Sequence, residues 1–79
     1  MGLGNQFGRA SSSVALNLAE GWGRFTPKDR VHFFQMAMGS IRECQAIADI
    51  QSEQFTTDER DKLDHLAAAT YKLIRHQRG

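Results

Sequence analysis

The sequence predicts an all-α fold: three helices in a single domain spanning residues 1–79. Two observations carry this. Apolar residues recur at spacings of three and four through three long stretches, as they do in helices that bury one face. Between the stretches stand short breaks, each ending in a threonine suited to capping the helix that follows. No strand pattern accompanies them.

The first helix is expected over about residues 5–21, with Phe7, Ala10, Val14, Leu18 and Gly21 on one face. Gly21 and Gly23 are expected to end it through left-handed or open backbone. The second is expected over 27–53. Thr26 can cap it, Pro27 suits its first turn, and Asp29 stands three residues after the cap. The third is expected over 57–78, opened by Thr56 as cap and Glu59 three residues on. Its apolar seam is Leu63, Leu66, Ala67, Thr70, Leu73 and Ile74.

The second helix differs from the third. Phe33, Phe34, Met36, Ala37, Met38, Ile41, Cys44, Ile47 and Ala48 cover more than half its circumference, leaving His32, Gln35, Gly39, Arg42 and Asp49 as a narrower wet face. So wide an arc asks for neighbours on several sides. The expectation is that the other two helices cannot cover it. Phe33, Phe34, Met36, Met38, Ile41 and Ile47 would then form an exposed self-association surface.

Composition narrows the function classes. Ten Lys and Arg against nine Asp and Glu leave a formal charge of +1, too balanced to mark a nonspecific nucleic-acid binder by charge alone. No apolar run approaches the ~18 residues of a membrane span, and no signal peptide is legible. Cys44 is the only cysteine, which suits a reducing, cytoplasmic setting and offers no disulfide. In so small a chain, stability is expected to come from homo-oligomerisation instead.

Each chemical constellation has a plainer structural reading. Gly21, Trp22, Gly23 and Arg24 precede a helix, as a phosphate loop would, but they follow a helix rather than a strand and lack the GxxxxGK[ST] spacing. A helical corner is the better reading. Glu20 and Glu43, with Asn17 and an arginine, could serve acid–base chemistry. No nucleophile or metal set accompanies them, and a hydrogen-bonded network of Arg9, Ser13, Asn17, Glu20, Arg24, Ser40 and Glu43 is favoured. His32, His65 and His76 lack the i, i+4 spacing of a helical metal site, so neither metal nor cofactor is expected. The candidate nucleic-acid contacts are Arg24, Lys28 and Arg30 at the first corner, and Lys72, Arg75 and Arg78 at the chain's end.

The run QFGRASSSVALNLAEGWGRFTPKDRVHFFQMAMGSIRECQ resembles a four-helix-bundle family encoded in intervening sequences of bacterial 23S rRNA genes. Gln6, Arg9, Ala10, Ser13, Val14, Asn17, Leu18, Ala19, Glu20, Gly21, Gly23 and Arg24 fit its pattern, as do Phe33, Phe34, Ala37, Gly39, Ser40 and Glu43. The resemblance implies an antiparallel up-down bundle that can assemble as a homopentamer. It also implies kinship with the accessory variability protein of diversity-generating retroelements, which binds nucleic acid and a reverse transcriptase. No catalytic activity and no small-molecule substrate come with it. Members usually carry a preceding helix of about twenty-five residues and a turn that Gly2 and Leu3 match, so by the resemblance this chain holds three of the family's four helices. The expected function is a noncatalytic, self-associating scaffold or interaction module, with RNA or DNA binding through basic edges as the alternative.

Overall fold

The computed structural model describes residues 3–79, with side chains from residue 5 onward. Among the described residues there are three α-helices and no strand: α1 (Leu3–Trp22), α2 (Pro27–Ile50) and α3 (Thr57–Arg78), with a 3-10 turn at Ser52–Gln54. The turn expected at Gly2 and Leu3 lies partly outside the described residues, and Leu3 itself opens α1.

Local chemistry accounts for both later helix starts. Thr26, in extended backbone, accepts the Asp29 amide on its Oγ1 at 3.2 Å, and Pro27 occupies the first turn. Thr56 and Glu59 form a reciprocal box: the Thr56 Oγ1 accepts the Glu59 amide at 3.0 Å, and the Glu59 carboxylate accepts the Thr56 amide at 2.8 Å.

Two helix ends differ from expectation. Gly79 is the only described residue with positive φ, so neither Gly21 nor Gly23 ends α1 by a left-handed turn. Gly21 is buried inside the helix instead. A Cβ placed there would stand 2.6 Å from Phe34 Cε1, so the position requires a small residue rather than a special φ. Helix α2 stops at Ile50, three residues before the expected end. The chain tightens through the 3-10 turn and returns Phe55 to Phe7, ring centroids 4.9 Å apart.

Helix α2 is the middle element. It packs on α1 at one flank and α3 at the other, while α1 and α3 make no helix-to-helix packing among the described residues. The layer is long and thin, 41 × 24 × 13 Å. Against α1, Ser11 meets Cys44, Ser13 meets Ser40 and Gly21 meets Phe34. Against α3, Arg30 meets Gln77, Gln45 meets Asp64 and Asp49 meets Arg60.

This arrangement corrects the expected self-association surface. Phe34 and Ile41 are fully buried within the chain and Ile47 is 4% exposed, because the two flanking helices together cover most of the wide apolar arc. Phe33 and Met38 are half-buried, and Met36 alone of that set is exposed. The core is completed by Ala37, Cys44 and Ala48 of α2, Ala10 and Val14 of α1, and Thr70 and Ile74 of α3. Each fully buried large side chain stabilises the fold by about 1.5–3 kcal/mol.

Candidate nucleic-acid interface

The expected polar network divides into separate parts. Ser40 donates to the Ser13 hydroxyl at 2.9 Å, and the Asn17 amide donates to the same oxygen at 3.1 Å and to the Ser13 carbonyl at 2.9 Å. This half-buried triad ties α1 to α2. Glu20 and Arg24 form an exposed i, i+4 pair at 2.9 Å, worth no more than about 1 kcal/mol. Arg9 and Glu43 are exposed and stand outside the triad.

The placement also removes the acid–base site. Glu20 adjoins Gly21, which faces Phe34, whereas Glu43 adjoins Cys44, which faces Ser11. The two carboxylates therefore lie about nine residues apart along the α1–α2 seam, on the order of 13 Å at helical rise. They share no site. Cys44 is buried, and its thiol is pushed above the usual range chiefly by burial, with the nearby Glu43 charge adding to the rise and a Ser11 hydrogen bond opposing it. Among the described residues no three His, Cys, Asp or Glu side chains converge to hold a metal.

The basic candidates fare differently. The start of α2 meets the end of α3, and Arg30 joins both to the corner that follows α1. Its Nε donates to the Arg24 carbonyl at 2.9 Å, and its Nη1 to Gln77 Oε1 at 3.4 Å. Pro27, Lys28, Val31, Gln77 and Arg78 line one groove beside it. Arg24 lies over the Phe33 ring at 4.6 Å, and Arg75 over Tyr71 at 5.9 Å. Arg24, Lys28, Arg30, Lys72, Arg75 and Arg78 thus gather toward one end, against Glu20 and Asp29 as the acids there. Glu53, Asp58, Glu59, Asp61 and Asp64 belong to the opposite end, where Asp49 pairs with Arg60, and Lys62 with Asp58 at 3.2 Å.

Within the basic set, roles separate. Arg30 is a strut, spent on two acceptors. Arg24 is shared between Glu20 and Phe33. Lys28, Lys72, Arg75 and Arg78 are exposed and make no ion pair among the described residues. Three aromatic residues stand near the basic set, and no motif in the sequence joins them to it. Trp22 is 53% exposed, Tyr71 55% and Phe25 96%. A signal was available for Phe25, since it falls between the end of one helix and the cap of the next and so belongs to no apolar face.

The family model described as 23S rRNA-intervening sequence protein matches residues 1–76. The chain belongs to this family. It has no significant match among curated proteins or among solved structures. In this member of the intervening-sequence family, Gly21 admits the Phe34 ring, and Ser13, Asn17 and Ser40 lock the α1–α2 seam. No helix among the described residues is long and apolar enough to cross a membrane.

Proposed function

We propose that the chain is a noncatalytic binding module, an antiparallel up-down bundle of the four-helix family type, whose basic end holds nucleic acid. One observation carries the reading: Arg24 and Lys28 stand beside Arg78, about fifty residues further along the chain, across the Arg30–Gln77 contact, while most of the acids lie toward the far end. A nearly neutral chain thereby presents a cationic face that phosphates can neutralise, with release of counterions. The free, buried Cys44 fits work in the reducing cytoplasm.

The test is RNA and DNA binding across a salt series with the wild type and the Lys28→Ala/Arg78→Ala double variant. Affinity should fall steeply with salt, and the variant should flatten that slope by about two phosphate contacts. Absence of binding to either nucleic acid at ~50 mM salt removes the proposal.

Self-association is the second reading, supported by the exposure of Leu16 at 66% and Ile50 at 70% and, for a homopentamer, by the family resemblance. Sedimentation at low micromolar concentration decides it. A compact monomer there excludes it.

A further inference from the structure

Phe25 presents an apolar ring that the fold does not use. It is 96% exposed, more than any other large apolar side chain described. An exposed aromatic on a floppy loop would mean little, but both flanks of this one are fastened. The Arg24 amide bonds the Gly21 carbonyl at 3.2 Å, and the Arg24 carbonyl accepts from Arg30 Nε at 2.9 Å. On the other side the Thr26 hydroxyl caps α2, and Pro27 fixes the next φ. The ring is thus carried on an anchored backbone, and little backbone freedom is left to be lost when a ligand packs on it.

We infer that Phe25 is a stacking platform for an unpaired base, with Lys28 and Arg78 taking the flanking phosphates, so that the basic end selects single-stranded over duplex nucleic acid. This rests on the nucleic-acid reading above and specifies its ligand class. Single-strand binders combine a cationic track with exposed aromatic rings on which bases of any identity stack. A paired base offers its π-face only at a duplex end, so the ring contributes nothing along a helix. Duplex is left with the phosphate contacts alone.

The experiment uses the full chain and fluorescence anisotropy at ~50 mM salt. The probes are a labelled oligouridylate of about twelve nucleotides and a blunt RNA duplex of about twelve base pairs. The wild type should prefer the single strand by about ten-fold or more. Phe25→Ala should lose about ten-fold on the single strand and less than about two-fold on the duplex, while Phe25→Trp restores the preference. Lys28→Ala should weaken both probes alike. Circular dichroism of each variant reports folding separately, and the surface position of Phe25 makes a folding defect easy to recognise.

Equal affinity of the wild type for both probes overturns the inference and leaves the cationic end intact as a phosphate site. So does a Phe25→Ala variant that binds the single strand as wild type does. Loss of binding to anionic lipid vesicles in Phe25→Ala, with RNA affinity unchanged, overturns it in favour of a lipid surface. Absence of all RNA binding overturns this inference, and absence of DNA binding as well overturns the reading beneath it.

Discussion

Substituting alanine at two glycines should move stability in opposite directions. At Gly21 the added Cβ would lie 2.6 Å and 2.8 Å from two carbons of the Phe34 ring and 3.3 Å from Phe33 Cβ. Relief requires the ring to retreat by about 1 Å, since ordinary carbon contacts begin near 3.5 Å. Phe34 is fully buried and held edge-on by Trp22, centroids 5.3 Å apart, so its retreat displaces the core. Overpacking of this kind costs about 1–3 kcal/mol, and here the upper part of that range applies. Removing a helical glycine returns about 0.5–1 kcal/mol, which leaves a net loss of about 2 kcal/mol. At Gly39 no atom lies within 4 Å of the added Cβ, so only the helical gain of about 0.4–1 kcal/mol remains. In a chain of this size, Gly21→Ala should melt roughly 8–16 °C lower and Gly39→Ala about 2–8 °C higher. Thermal melts followed by far-ultraviolet circular dichroism read both shifts. A Gly21→Ala protein melting at or above the wild type would mean that the Phe34 ring has room to move, and the tight α1–α2 approach would have to be abandoned.

Three further outcomes are expected. Ser40→Ala removes a half-buried link in the seam and should lower stability by about 1 kcal/mol, while Glu43→Ala, at an exposed site, should change it by less than about 0.5 kcal/mol; comparable urea midpoint shifts would contradict the division of the polar residues. Cys44 should react with a thiol reagent more than about a hundred-fold slower in the native chain than in urea, and immediate native labelling would place it outside the core. Glu59 is held below the ordinary carboxylate range, first by the Thr56 amide and then by the Thr56 hydroxyl. Its contribution is therefore complete above the unfolded-state value and is lost as pH falls through the lower folded-state value. Urea titrations from neutral to acid pH should show Glu59→Gln with a shallower acid loss than the wild type, and parallel curves would remove the capping box as a source of acid sensitivity.

The sequence made the helices legible because local rules dominate at their starts. Thr26, Pro27, Thr56 and Glu59 act within a turn of themselves, and their chemistry is the same in any fold. The end of α2 was not legible in the same way. Phe55 returns to Phe7 across nearly fifty residues of chain, and no local pattern announces that contact. Gly21 was placed rightly on the buried face of α1, but its demand for a small residue was not legible, for a related reason. Its neighbour in space, Phe34, determines why it must be small, and φ has no part in it. The wide arc of α2 was read correctly as needing neighbours on several sides, but a wheel cannot tell a partner in another molecule from one in the same chain.

Charge shows the same division between composition and placement. Summed over the chain, the formal charge is +1 and argues against a polyanion partner. Along α3 the order is already uneven, with acids in the first turns and bases in the last, an order the helix dipole favours by itself. What the dipole does not supply is the company those bases keep. The Arg30 contact with Gln77 brings the end of α3 beside the corner carrying Arg24 and Lys28, so a local helical preference becomes part of a shared cationic face. Glu20 and Asp29 offset part of that face, but the acids of the opposite end cannot, because the molecule is 41 Å long and the Debye length at physiological salt is about 8 Å. A phosphate arriving at the basic end meets the charges within that distance and little of the opposite end. Net charge is thus the wrong quantity for this chain, and the local field at its basic end is the one that a salt series measures.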